Sequence, residues 1–229
     1  MDKQQLKKLL IGDLNWKRML KSLIFIYAFF AVYVYFRAGN AEDLGYIKPH
    51  LQKIRDLGFS VFAYDYRGYG TSEGTPTEKA AYQDIDTAYN YLIQKLKISP
   101  QQIIVFGRSV GGGSAVDLAS KNPVAGLIVE SSFTSIFRVV VPVPILPFDK
   151  FTNLDKIKKV KYPVLIIHGK SDEIIPFSHG EKLFAAVSSP KLSFWVDKAS
   201  YNDLSFVAGE RYWEILKKFA YLVEKNPTK

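Results

Sequence analysis

Gly107-Arg108-Ser109-Val110-Gly111 lies between an apolar stretch, Ile103–Phe106, and a segment rich in small residues. This is the setting of a nucleophile elbow: the glycines permit a turn tight enough to lift Ser109 out at a strand end. There its hydroxyl can attack a carbonyl carbon, and the N–H of Val110, at the start of the next helix, would point at the oxyanion. The bare pentapeptide occurs by chance. The strand before it, the helix after it and Gly112-Gly113 give it weight. A serine nucleophile also needs a base and a group that orients the base. Asp172, just past the apolar run Val164–Ile167, is the candidate acid. A loop Asp also serves as a turn or helix cap, and both readings stand.

The chain holds three histidines, His50, His168 and His179, and no cysteine. His168 ends a predicted strand, His179 falls in the first turn of a predicted helix, and His50 lies within another. Each position favours a structural or surface role over general base. The three give no cluster at metal-ligand spacing, and Gly111-Gly112-Gly113 lacks the Lys-Ser/Thr of a phosphate loop. No metal and no cofactor are expected. Zero cysteine excludes a disulfide framework and a thiolate nucleophile.

The elements that must hold these residues alternate. Asp43–Leu57 reads as a helix closed by Gly58, and Phe59–Asp65 as a buried strand. Thr75 is the expected helix cap, with Pro76 at the first position and Glu78 completing a capping box. Tyr82, Ile85, Ala88, Tyr89 and Leu92 supply the apolar stripe of that helix. Ile103–Phe106, Gly126–Glu130, Val164–Ile167 and Leu192–Val196 read as strands, and Val110–Ser120, Phe177–Val187 and Leu204–Glu224 as helices. Short apolar strands alternating with helices give an α/β fold with a mostly parallel, doubly wound sheet. Residues 133–155 break the alternation as an apolar, proline-punctuated excursion. It reads as a lid, with Phe137, Ile145, Leu146 and Phe148 as candidate substrate-binding residues.

Of 229 residues, 48% are hydrophobic and 23% charged, which excludes a disordered chain. The net charge is +9, of which the first 21 residues contribute +4. The Lys156–Lys161 run reads as a solvated face, so nucleic acid is not an expected partner. Residues 22–36, SLIFIYAFFAVYVYF, form the longest apolar run. As a helix they rise about 22 Å against about 30 Å of hydrocarbon, and counting from Met19 brings this to about 27 Å. Basic residues precede the run, so an inserted helix keeps its N-terminus in the cytoplasm. The same residues are β-branched and aromatic enough for a strand, above all Val32–Phe36.

Several motifs together resemble one branch of a known family. GNAEDLG (39–45), FAYDYRGYGTSEG (62–74), GRSVGGGSAVDLAS (107–120), HGKSDEIIPFSHGEKLF (168–184) and YNDL (201–204) are similar to the membrane-anchored, bud-emergence-type α/β-hydrolases. The resemblance covers about Gly39 to the C-terminus. It implies an α/β-hydrolase domain over residues 38–229, preceded by a basic N-terminus and membrane anchor over 1–37. That branch includes serine hydrolases of acyl esters and thioesters, among them protein depalmitoylases. The implied partners are an acylated small molecule or acylated protein, and a membrane. By match to the motifs, Ser109 is the nucleophile, Asp172 the acid, and the amides of Val110 and Asn40 the oxyanion hole. Asp65 and Arg67 match a structural turn.

Three departures accompany the matches. The family places its catalytic His immediately before Asn-Asp, and Tyr201 precedes Asn202-Asp203 here. A phenol with a pKa of about 10 is about 0.1% phenolate at pH 7 and its neutral form is a poor base. Losing a triad His costs about 10⁶ in kcat, so the expected activity is very low. The alternative is a catalytically silent homologue that acts as a membrane-associated binding or scaffold protein. The oxyanion loop, His-Gly-Asn in the family, reads Ala38-Gly39-Asn40 here. Last, the family's antiparallel strands ahead of that loop are missing, so the fold is shortened at its N-terminal edge and the apolar run meets Gly39 directly. In this fold the strand entering the oxyanion loop is central, and one segment cannot both fill that slot and span a bilayer. Because the run leaves the ribosome before any sheet exists, the expectation is a membrane helix from about Leu20 to Phe36.

Overall fold

The computed structural model describes residues 24–30, for which the backbone alone is considered, together with 44–140 and 149–225. A single six-stranded, fully parallel sheet runs through it, built from β1 (Ile24–Phe30), β2 (Ser60–Asp65), β3 (Ile103–Ser109), β4 (Gly126–Glu130), β5 (Val164–Gly169) and β6 (Lys191–Val196). The spatial order is β2-β1-β3-β4-β5-β6. The α-helices among the described residues are α1 (Leu44–Asp56), α2 (Glu78–Asn90), α3 (Gly111–Lys121), α4 (Ile136–Val140), α5 (Asn153–Ile157), α6 (Ser178–Ala186), α7 (Leu204–Ala208) and α8 (Glu210–Lys225).

Strand periodicity divides the core into two faces. Ile103, Val105, Leu127, Val129, Val164 and Ile166 enter one apolar cluster with Ala115 and Leu118 of α3 and Ile85 of α2. Their neighbours in sequence, Ile104, Phe106, Ile128, Leu165 and Ile167, enter the other with Leu216 and Phe219 of α8. Because side chains alternate across a strand, a stretch buried on both faces must be apolar at successive positions, and Ile103–Phe106 of β3, Leu127–Val129 of β4 and Val164–Ile167 of β5 are. At about 1.5–3 kcal/mol for each large side chain removed from water, these two clusters supply the main driving force for the fold.

The expected membrane helix is not formed: Ile24–Phe30 is a strand at the second position of the sheet. Ile24 to Phe29 pair in parallel with Ser60 to Asp65 on one side, and Ile24 to Phe30 pair with Ile103 to Ser109 on the other. A strand in this slot satisfies the ladder edges of two apolar neighbours at once, at roughly 0.5–1.5 kcal/mol net per hydrogen bond, and leaves no unpaired edge between them. Both a bilayer and a sheet centre accept the same apolar residues; the two open edges decide for the sheet. The strand also starts earlier than Val32–Phe36, which lie outside the described residues. No helix among the described residues is long and apolar enough to cross a membrane.

Two further expectations are corrected. Helix α2 is capped by Thr77, whose hydroxyl accepts from the Ala80 N–H at 3.1 Å, and not by Thr75. The expected helix Leu204–Glu224 is two helices, broken at Gly209, whose φ of 59° belongs to the region that only glycine adopts freely. The excursion at 133–155 contributes the short helices α4 and α5.

Candidate active site

Ser109 ends β3 with φ 55°, a left-handed conformation that costs a non-glycine residue about 1–3 kcal/mol. Two features hold it there. The Ser132 hydroxyl donates to the Ser109 carbonyl at 2.7 Å. Gly107 lets α3 close directly over the strand: a Cβ on it would lie 2.6 Å from the Ala115 Cβ. The strain and the close approach are those of an elbow that presents a nucleophile. Val110 directly precedes the first turn of α3, so no helical carbonyl is available to its N–H, and the dipole of α3 favours negative charge there. Asn40, the second expected oxyanion donor, lies outside the described residues.

Asp172 sits in the turn after β5 and is buried. Its Oδ1 accepts from the N–H groups of Ile174 (3.0 Å) and Ile175 (2.8 Å), so it holds its own turn. The other oxygen, Oδ2, is buried and makes no hydrogen bond with any described residue. The turn-capping reading of the sequence is thus met by Oδ1, while Oδ2 is without a hydrogen bond among the described residues, where a triad would supply an imidazole N–H.

No histidine supplies it. His168 Nε2 lies 3.4 Å from Asp172 Oδ2 but is hydrogen-bonded to the Ile175 carbonyl at 2.9 Å, and its ring is fully buried. His179, on α6, accepts from the Thr134 N–H at 3.2 Å, with the Thr134 hydroxyl 3.0 Å from the same nitrogen; it ties α6 to the loop after β4. Burial, with Lys182 and His168 adding to it, draws the His179 pKa down to about 4. His50, on α1, meets the Tyr212 hydroxyl at 3.3 Å, and burial followed by the charges of Arg108 and Lys53 lowers its pKa to about 4. None of the three is hydrogen-bonded to Ser109. Among the described residues no group of His, Asp or Glu is placed to hold a metal ion.

Tyr201, in the loop between β6 and α7, is half-buried and packs against the apolar cluster on the α3 side of the sheet. The residue that holds it is Arg108, the variable position of the elbow pentapeptide. Arg108 Nη2 donates to the Tyr201 carbonyl at 2.6 Å, and the guanidinium carbon lies 4.8 Å from the centre of the Tyr201 ring. Arg108 Nε is 3.3 Å from Glu130 Oε1, at the end of β4, and the Tyr212 hydroxyl donates to Glu130 Oε2 at 2.5 Å. The sequence displays an Arg beside the nucleophile; nothing local reveals that its partner is Tyr201, which lies 93 residues away in the chain.

Of the lid residues, Phe137 is half-buried on α4, and its N–H donates to Asp149 Oδ1 at 3.2 Å. Ile145, Leu146 and Phe148 lie outside the described residues. The structural turn is formed as expected: Arg67 Nε donates to Asp84 Oδ1 at 2.9 Å, and the Ser72 hydroxyl donates to the Asp65 carbonyl at 3.1 Å.

A parallel sheet wound with helices, a strained serine elbow after its third strand and a carboxylate after its fifth define an α/β-hydrolase. The family model described as serine aminopeptidase, S33 matches residues 32–152, and the chain belongs to that Hydrolase_4 family. It is 42% identical over 187 residues to alpha/beta hydrolase domain-containing protein 17B of Homo sapiens, covering 80% of this chain and 64% of that protein. It is 41% identical over 187 residues to protein 17C of Mus musculus, covering 80% and 58%. The chain thus spans less than two thirds of the length of these relatives. Solved structures share the fold: a monoacylglycerol lipase of Paleococcus ferrophilus at TM-score 0.65 and 18% identity, covering 86% of this chain and 93% of that one. An esterase of Pyrococcus furiosus gives TM-score 0.69 and 17% identity, covering 87% and 82%.

Proposed function

We propose that this protein is a serine hydrolase-type chain directed at acyl ester or thioester groups, on a small molecule or a protein, whose turnover at neutral pH is very low. The observation that carries the reading is an acid without a base. Asp172 Oδ2 is buried and makes no hydrogen bond with any described residue, each of the three imidazoles is hydrogen-bonded to another group, and the residue preceding Asn202-Asp203 is a tyrosine. Ser109 would attack the acyl carbon, Asp172 would orient a proton acceptor, and the Val110 N–H would receive the oxyanion. Without an efficient acceptor the serine proton has nowhere to go in the transition state.

The same observation favours a second reading, a silent homologue that binds acylated partners through the lid region around Phe137. Labelling with a serine-directed fluorophosphonate separates the two. Slow modification of the parent, lost in Ser109→Ala, supports a presented nucleophile lacking its base. No labelling even after prolonged exposure supports the binding reading. Labelling within about tenfold of a family member with an intact triad contradicts impaired catalysis.

A further inference from the structure

The Arg108 clamp has a consequence for any base at position 201. Its bond to Tyr201 goes to the backbone carbonyl, so it does not depend on which side chain the residue carries. The guanidinium then lies over that side chain's ring, 4.8 Å from its centre. A phenol tolerates this arrangement, because the negative face of a neutral aromatic ring attracts a cation. An imidazole acting as general base does not stay neutral. As Ser109 Oγ bonds to the acyl carbon, the carbonyl electron pair moves to the oxyanion and the serine proton passes to the imidazole. That creates a second cation against the first. Like charges a few ångströms apart disfavour the protonated form.

We propose that Arg108 is a positioning residue that fixes the side chain at 201 beneath a guanidinium and so disables any cationic base placed there, making it a second block to hydrolysis beside Tyr201 itself. The inference rests on the hydrolase reading above. Among the described residues, charged and titratable groups around the pair include Glu130 on β4, Tyr212 on α8, His50 and Lys53 on α1, and Asp197 and Lys198 on the loop of Tyr201 itself. Asp203 lies on the same loop, and Asp172 lies in the neighbouring one, joined to it by the Ser171 N–H to Ala199 carbonyl bond at 3.0 Å. Glu130 offsets part of the guanidinium charge but sits at its Nε, whereas Tyr201 receives Nη2 and the guanidinium face. The remaining field is felt nearby: Arg108 is the largest charge contribution lowering the His50 pKa.

The test compares Tyr201→His with Tyr201→His/Arg108→Gln and Tyr201→His/Arg108→Lys. Gln retains an N–H for the Tyr201 carbonyl and removes the charge; Lys retains the charge. Hydrolysis of a short p-nitrophenyl ester should rise less than about tenfold in the single variant and in the Lys double variant. In the Gln double variant it should stand at least about tenfold above the single. By NMR, the introduced imidazole should titrate at least about one pH unit higher in the Gln double variant than in the other two. Equal titration across all three overturns the inference, as does equal hydrolysis in the single and Gln double variants when the latter is active. A higher titration without hydrolysis upholds the role of Arg108 and overturns the hydrolase reading. If Arg108→Gln does not fold, Arg108→Gln/Glu130→Gln removes both charges of the pair and the same titration comparison applies.

Discussion

Replacing Tyr27 by Pro distinguishes a strand from a membrane helix at residues 24–30. Tyr27 is aligned with Ala63 on one side and Phe106 on the other, so it stands inside both ladders. Proline removes one ladder N–H, worth about 0.5–1.5 kcal/mol net, and leaves the facing carbonyl unsatisfied inside the sheet at about 1–3 kcal/mol more. The sum is about 2–5 kcal/mol, a large part of the 5–15 kcal/mol that holds a typical domain folded. With an m-value of about 3 kcal/mol/M in urea, the unfolding midpoint should fall by roughly 1 M. Tryptophan fluorescence follows the transition, since Trp195 and Trp213 lie in the folded domain. An unchanged midpoint would refute the central placement of β1, whereas a membrane helix tolerates a proline.

Other expectations follow from the clamp, the break and the buried imidazole. Glu130→Leu removes the buried carboxylate that pairs with Arg108 and accepts from the Tyr212 hydroxyl, and should cost about 1–3 kcal/mol, read by chemical denaturation. Gly209→Ala places a side chain at φ 59° and should lower stability by about 1–3 kcal/mol, read as a fall in Tm, even though nothing crowds its Cβ. His179, with its pKa reduced from 6.5 to about 4 in the folded chain, is neutral in both states above pH 6.5. Below that the unfolded chain binds the proton first, so stability falls as pH drops from about 6.5 toward 4, by up to about 3 kcal/mol. Urea midpoints at pH 7 and 4.5 should therefore converge in His179→Gln; an unaltered pH dependence would count against the assignment.

The sequence made the sheet and the elbow legible because both are local patterns. Unbroken apolar runs such as Ile103–Phe106 and Val164–Ile167 identify strands buried on both faces, and the glycines around Ser109 identify the turn. The position of Asp172 in the turn after β5 was legible from the apolar run Val164–Ile167 before it. The N-terminal run was not, since lipid and sheet centre select the same residues and only the edges of β2 and β3, distant in sequence, decide between them. The cap at Thr77 escaped because Thr75-Pro76 fits the same rules two residues earlier. The split at Gly209 escaped because one apolar stripe runs through Leu204–Glu224, and Gly alone does not reveal its φ. Arg108 over Tyr201 is a tertiary contact with no local signature at either residue.

The most direct test of a nucleophile and an acid without a base is steady-state hydrolysis of a short p-nitrophenyl ester at pH 7 by the parent chain and by Ser109→Ala. The two should differ by less than about tenfold, because the serine proton has no efficient acceptor. Turnover typical of hydrolases, about 1–10³ s⁻¹, abolished in Ser109→Ala, would contradict it.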